Sequence, residues 1–467
     1  MYSFETGVDV FKLDLKRISG AEVLPLIEGG KGVSVSNGET CGAWAAAGAV
    51  GTFSAVNADN YDESGNIIRQ TYKGKTREER HRELIEYAVK GGIIQAKIAR
   101  ERSNGRGRIH MNALWEMGGS EEIITRILEE AKGCVDGVVC GAGLPYSLAE
   151  IATKFGIYYY PIVSSARAFS ILYRRSYKKH IDLLGGVVYE DPWLAGGHNG
   201  LSNAEDPLQR QNPYLRLVEL RKTMREFGLD DTPIIIAGNV WWLSEWEDYI
   251  NNPELGNVAF QFGTRPLLTT ESPVAKTWQP KLMSLKRGDV KLTQLSPTGF
   301  YSSAVCNKFL QKLLDRHERQ VNIDENSSLK IEVFGRQIGV DASRKNDIEN
   351  WIAQGNTKGM LTPDNTVVFV TPEDCAQILE DQRNCCTCLS ACVFSSWSQK
   401  NGTTGRMPDP RSFCIQKTLQ DIAHGGDIEN NLMFAGHVAY RFAEDPFYAN
   451  NFIPTTEQLI RRIETGY

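Results

Sequence analysis

The chain has 467 residues, of which 41% are apolar and 23% charged, with a formal net charge of -5. That is the make-up of a globular protein of two or three structural units, and it argues against a nucleic-acid-binding or anionic-membrane surface. No stretch reaches the roughly 20 apolar residues of a membrane helix, and the opening MYSFETGVDVFKLDLKR lacks the apolar core of a signal peptide, so a cytoplasmic location is expected.

Eight short apolar or β-branched runs follow one another along the chain: Gly32–Ser36, Val50–Val56, Arg108–Leu114, Gly137–Cys140, Ile157–Val163, Leu184–Tyr189, Pro233–Ile236 and Val258–Gly263. Segments with helical periodicity lie between and after them, at Gly42–Ala47, Arg77–Arg100, Ser120–Lys132, Ser147–Phe155, Ala166–Tyr177, Tyr214–Phe227 and Ser244–Leu255. Parallel strands need crossover helices, so strand-then-helix repeated eight times predicts an α/β fold, a closed TIM (β/α)8 barrel over residues 20–272. An open doubly wound sheet would show the same alternation, but no GxGxxG opens a helix after the first run.

A barrel of this kind builds its site from the loops that follow the strands. Glu28-Gly29-Gly30-Lys31 is placed just before the first run, and Asn112 near the end of the third. Gly141-Ala142-Gly143-Leu144-Pro145 follows the fourth run and Ser164-Ser165 the fifth. After the sixth come Glu190, Asp191 and the turn Ala195-Gly196-Gly197-His198-Asn199-Gly200. Gly238-Asn239 follows the seventh and Gly263-Thr264 the eighth, the position where barrels commonly hold a phosphate on backbone N–H groups. His198 stands in a glycine-rich turn, where the backbone approaches a ligand closely and an imidazole titrates near neutral pH.

Residues 273–321 read as a helical cover segment, with one helix expected from Ser302 to His317. Residues 322–467 read as a small α/β insertion and a Cys-rich C-terminal unit. Strands are expected at Lys330–Val333 and Thr366–Phe369, and helices at Ser343–Ala353 and Pro372–Gln382. Among the other histidines, His81, His180 and His317 sit in basic surroundings that suggest solvated faces. His110 alternates with apolar neighbours, His424 precedes a helix-capping Gly425, and His437 follows Gly436 in a faint echo of the first His turn.

The sequence resembles the FMN-dependent barrel family of nitronate monooxygenase (2-nitropropane dioxygenase) and the flavin-type enoyl-ACP reductase II. The residues that carry the resemblance are Ala195–Gly200, Gly141–Pro145 and Gln261-Phe262-Gly263-Thr264-Arg265-Pro266-Leu267-Leu268-Thr269-Thr270-Glu271-Ser272, supported by Gly29-Gly30 and Asn112. It implies FMN across the top of the barrel, with its phosphate on Gly238, Asn239, Gly263 and Thr264. Gly30, Asn112, Glu190, Gly197 and Gln261 would lie along the rest of the cofactor, and His198 would be the catalytic residue on the substrate side. The departures are Asn239, where relatives usually have a second glycine, the aromatic tract Trp241-Trp242-Leu243, and a long polar loop between Gly200 and Tyr214.

The activity so implied is an FMN-dependent oxidoreductase that oxidises a small anionic substrate, such as a nitronate, with O2. The alternative is an NAD(P)H-dependent enoyl-thioester reductase with an iron–sulfur relay, and a non-catalytic flavin- or metal-binding module is the alternative of another class. Expected partners are a small-molecule or acyl-thioester substrate, a second copy in a homodimer, and an acyl-carrier or electron-transfer protein, with no nucleic acid and no membrane.

Half of the ten cysteines fall within 30 residues of one another. Cys385-x2-Cys388-x3-Cys392, with Cys414 returning later, has the spacing of four thiolates wrapped around a [4Fe–4S] cluster. The 2,4-dienoyl-CoA reductase and trimethylamine dehydrogenase group, also FMN barrels, has a similar spacing. Tetrahedral zinc and plain buried thiols suit the same residues, and Cys386 could replace Cys385.

Overall fold

The computed structural model describes residues 13–395 and 407–465. Its centre is a closed barrel of eight parallel strands: β1 (Leu26–Glu28), β2 (Val50–Ser54), β3 (Arg108–Leu114), β4 (Gly137–Gly141), β5 (Tyr158–Val163), β6 (Val187–Glu190), β7 (Ile234–Ala237) and β8 (Val258–Phe262). The ring closes where Phe260 of β8 pairs with Leu26 of β1, while Ile234 of β7 pairs with both Val187 and Val258. The fold is therefore the barrel that the alternation predicts.

The crossovers α1 (Gly38–Ala46), α2 (Arg77–Arg102), α3 (Ser120–Glu130), α4 (Leu148–Phe155), α5 (Ala166–Arg175) and α6 (Pro213–Glu226) fall where periodicity places them, within a few residues. Their starts have chemical causes. Asn37 accepts the amide of Thr40 at 3.0 Å to cap α1, and Thr76 with Glu79 forms a reciprocal capping box on α2. After β7 the crossover shrinks to a 3-10 stretch, Leu243–Tyr249, instead of running on to Leu255.

Two further elements differ from the sequence reading. The first strand is Leu26–Glu28, not Gly32–Ser36, whose Gly32 and Ser34 have φ of +80° and +59°, outside any strand. A three-residue strand buried on both faces is too short to show a period. The correction moves Gly29-Gly30-Lys31 to the C-terminal end of β1, at the barrel mouth. Ser302–Val305 is likewise a strand, and the helix begins at Lys308, capped by Asn307.

The foot of the barrel is plugged by a hairpin, Lys16–Ile18 with Ala21–Val23. Ile18 and Val23 pack into the barrel interior against Ile27, Val50, Val139, Tyr160, Val188 and Ile235. His110 points inward here. Its Nε2 lies 2.9 Å from Ser19 Oγ, which lies 2.7 Å from the Tyr160 hydroxyl.

Three further units accompany the barrel. An antiparallel sheet joins Val290–Thr293, Ser302–Val305 and Gly197–His198, with Ser302 opposite His198. A separate small unit pairs Gln320–Asn322, Thr366–Val370 and Lys358–Leu361, adds the hairpin Lys330–Val333 with Arg336–Gly339, and has its own core of Val321, Val333, Val340, Ile348, Val367 and Phe369. The C-terminal chain, after helix Pro372–Arg383, runs over the barrel as the cysteine loop, helix Ile415–His424 and helix Thr456–Glu464, the last packed beside α1. Among the described residues no helix is long and apolar enough to cross a membrane.

Candidate active site

The loops at the C-terminal ends of the strands enclose a deep cavity, roofed by the C-terminal chain. Gly30, Asn112, Glu190, Gly197, His198, Gly238, Asn239, Gln261, Gly263 and Thr264 all line it, so residues far apart in sequence converge on one space. Gly30 is glycine because Asn112 lies over it: a Cβ there would stand 2.2 Å from Asn112 Cγ. Gly238 has φ +84° and Asn239 φ +63°. The turn after β7 therefore runs left-handed at both residues, and asparagine tolerates that region where most side chains do not. This accounts for the missing second glycine.

His198 is held by the roof. Its Nε2 lies 2.5 Å from Ser296 Oγ, which lies 2.9 Å from Thr298 Oγ1, and its ring meets Phe434 edge-on at 5.3 Å. Among the described residues Nδ1 has no hydrogen-bond partner. Burial pushes the imidazole down to about 4, so it is neutral at physiological pH. Upstream, Asp191 shapes the turn that carries it. One carboxylate oxygen accepts the amides of Trp193 and Leu194 at 2.9 and 3.0 Å, and the other accepts Arg210 from the long polar loop at 2.8 Å. Neighbouring Glu190 faces the cavity without a hydrogen bond among the described residues. Burial first, and the charge of Asp191 second, push its carboxyl up to about 8.

Several lining residues are absent from the set read in the sequence. Lys31 is buried with its Nζ 2.6 Å from Glu28 Oε1, and Glu28 is wholly inaccessible to solvent. An ammonium has three donors, and Nζ also reaches the Gly29 carbonyl at 3.3 Å. Asn57, after β2, donates to Gln416 of the C-terminal chain, while its buried Oδ1 has no partner. Met433, Phe434, Ala435 and Gly436 close the roof, and Gly436 donates its amide to Thr264 Oγ1 at 3.0 Å. Position after a strand could have flagged Asn57. Nothing local marks Gln416 or Phe434. His437 itself points away, to Ser303 Oγ at 3.1 Å.

The aromatic tract after Asn239 is structural. Arg265 lies over the rings of Trp241 and Trp242 at 4.9 and 5.1 Å, and the Trp241 indole donates to Asp445 at 3.1 Å. His424 bonds Asp59 at 3.0 Å, and Gly425 ends its helix with φ +80°. His81 is not on a solvated face. It is half-buried, and burial lowers its pKa, opposed by the backbone of Cys386 and Thr387.

Of Cys385, Cys386, Cys388, Cys392 and Cys414, Cys388 lines this cavity. Among the described residues no three His, Cys, Asp or Glu side chains converge on one point as ligands of a single metal ion.

The architecture is thus a (β/α)8 barrel with a roofed cavity at its C-terminal mouth. Among solved structures, the enoyl reductase domain of MlnA from the macrolactin biosynthesis cluster of Bacillus amyloliquefaciens aligns with 95% of this chain and 93% of its own, with a TM-score of 0.54 and 12% identity. FabK from Thermotoga maritima aligns with 95% and 92%, at 0.48 and 14% identity. Nitroalkane oxidase from Streptomyces ansochromogenes aligns with 65% and 80%, at 0.42 and 16% identity. These are the kinds of protein that the sequence motifs resemble, and the likeness to the MlnA domain, at 12% identity, shows the fold alone. No family model and no curated protein matches the sequence.

Proposed function

We propose that the protein is an FMN-dependent oxidoreductase whose substrate carries, or develops, negative charge on an oxygen beside His198. The observation that carries this reading is the convergence of all ten candidate residues on one roofed cavity. Three features of that cavity fit a flavin mononucleotide. A Cβ at Gly263 would meet no protein atom within 4 Å, so the space beside this backbone is open for a ligand group. Gly238 and Asn239 present a left-handed turn after the adjacent strand. The buried Oδ1 of Asn57 lacks a partner that a ring N–H could supply.

FMN, when bound, supplies the electron transfer, and the protein supplies binding, orientation and electrostatics. The backbone of Gly238, Asn239 and Gly263, with Thr264, would hold the phosphate. Asn112, Gln261 and Glu190 would take the polar edges. His198 stays neutral, fixed through Nε2 to Ser296, and offers Nδ1 to the substrate oxygen. The roof of Met433–Gly436 excludes water, which strengthens that hydrogen bond.

Oxidation of a nitronate by O2 is the first reading, since an anion already charged on oxygen needs a hydrogen-bond donor and no proton source. Reduction of an enoyl thioester is favoured by one observation, the Glu190 carboxyl held up to about 8, which is a proton reservoir at neutral pH. Purified protein should carry about one flavin per chain. Mixing it anaerobically with a nitronate, and separately with NAD(P)H, distinguishes the two readings by which one bleaches the flavin. His198→Ala should keep its flavin and lose roughly 10²–10⁴-fold in kcat/KM, the scale of an acid–base or hydrogen-bonding group. An unchanged kcat/KM would reduce His198 to a turn residue, and a protein that takes up no FMN would return the barrel to a non-catalytic module.

A further inference from the structure

His198 is held by a chain of two hydroxyls whose direction follows from a count of hydrogens. The strand Gly197–His198 pairs with Ser302 and Ser303, and the tip of the hairpin that ends in this strand partner supplies Ser296 and Thr298. Three other segments pin that tip. Gln294 donates to Asn203 at 3.0 Å, Val393 donates its amide to the Pro297 carbonyl at 2.8 Å, and the Ser412 hydroxyl donates to the Leu295 carbonyl at 3.0 Å. A tip fixed in this way can set the geometry of the side chain it touches.

Within the tip, the amide of Phe300 donates to Thr298 Oγ1 at 3.3 Å, and the amide of Thr298 donates to Ser296 Oγ at 3.3 Å. Thr298 Oγ1 and Ser296 Oγ are 2.9 Å apart, and Ser296 Oγ is 2.5 Å from His198 Nε2. Each hydroxyl has one hydrogen to give and two lone pairs to receive. In one arrangement Thr298 donates to Ser296, and Ser296 donates to His198 Nε2. Every donor in the chain is then used, and the imidazole hydrogen is on Nδ1. In the reverse arrangement Nε2–H donates to Ser296 and Ser296 to Thr298, which leaves the Thr298 hydroxyl hydrogen without an acceptor among the described residues. The first arrangement satisfies the buried groups, so it is the one adopted.

Its consequence is what the cavity can take. With the Nε2 lone pair occupied and a hydrogen on Nδ1, His198 gives a hydrogen bond and cannot remove a proton. The other titratable side chains lining the cavity among the described residues are Lys31, Glu190 and Cys388. Lys31 is paired to Glu28, burial holds Glu190 mostly protonated at neutral pH, and the Cys388 thiol is pushed up as well.

We infer that Ser296 and Thr298 are positioning residues that hold His198 as its Nδ1–H tautomer, so that the cavity takes a substrate whose reacting oxygen is already anionic, a nitronate in preference to its neutral nitroalkane parent. The tautomer rests on the hydroxyl chain alone. The substrate class rests on the function proposed above.

The tautomer is read by nitrogen NMR of the full chain with isotope-labelled histidine, the His198 signals being assigned by their loss in His198→Gln. With and without FMN, the spectrum at neutral pH should show a protonated Nδ1 and an accepting Nε2. Ser296→Ala should mix the two tautomers, and Ser296→Thr, which keeps the hydroxyl, should retain the one. Should a variant fail to fold, the unaltered chain still decides, and a protonated Nε2 there overturns the inference. In flavin-loaded protein a nitronate should exceed its nitroalkane parent by roughly 100-fold or more in kcat/KM, the scale of a missing general base. Equal values would overturn the substrate class. A chain that takes up no flavin, or whose flavin neither nitro compound bleaches anaerobically, fails the proposed function, while the tautomer stands or falls on its own spectrum.

Discussion

Glu190 and His198 stand on the same cavity, and burial drives both toward the neutral form, one carboxyl upward and one imidazole downward. With Lys31 paired to Glu28, these side chains add little net charge to the cavity, which suits an anionic cofactor and an anionic substrate sharing it. For Glu190 the folded value of about 8 exceeds the ordinary carboxyl value, so the folded state keeps a proton that the unfolded chain has already released. Its contribution to stability is fully present at acid pH and is lost as pH rises from about 4.5 through about 8. Glu190→Gln should therefore be close to neutral at pH 5 and progressively stabilising toward pH 9, by roughly 1 kcal/mol or more. Denaturant unfolding across that range checks it, and a difference that does not move with pH would mean that Glu190 is ionised in the fold.

At the level of elements, the turn after β8 offers a clean separation of folding from binding. Gly263 has room for a side chain, and its φ is not in the left-handed region, so Gly263→Val should fold normally. The new side chain would fill the space assigned to the phosphate. Flavin content should drop at least tenfold with an unchanged melting temperature of the flavin-free form; full occupancy would remove the phosphate from this turn. Elements with a long period were readable from sequence. α2 runs 26 residues with its capping box, and β3 alternates polar and apolar residues from Arg108 to Ala113. The misreadings have one cause. β1 and Ser302–Val305 are three and four residues long and buried at every position, so each is a short segment without a readable period, and only ladder partners define it. The candidate site divides in the same way. Glycines and His198 announce themselves because their conformational and chemical needs are local. Lys31 was visible as a loop residue, but its buried pairing with Glu28 was not. Gln416 and Phe434 reach the cavity through long-range packing that no local pattern encodes.

Across the whole molecule the barrel is closed at both ends, by the N-terminal hairpin below and the C-terminal chain above. The lower closure should be acid-sensitive. His110 is pushed down to about 3 by burial, with Arg108 adding to the shift, so the folded state cannot take the proton that an unfolded histidine binds below about 6.5. Stability contributed by the neutral ring is present above that value and is lost as pH falls toward about 3. The melting temperature should fall between pH 7 and 4, and His110→Gln should flatten that fall even if it lowers the starting value. Equal pH slopes in the two proteins would show that carboxylates elsewhere govern acid unfolding.

The bond between the Gly436 amide and Thr264 Oγ1 joins residues 172 positions apart and fastens the roof to the turn proposed for the phosphate. Its consequence is temporal. On a ribosome the strands of the barrel emerge long before Met433–Gly436, so a chain could have all eight strands in place and still present an open bowl. A ligand entering that bowl would exchange with solvent until the last segment latched over it. Retention would then be a property of the finished chain, and the lifetime of a bound flavin would follow how often one short segment lifts away.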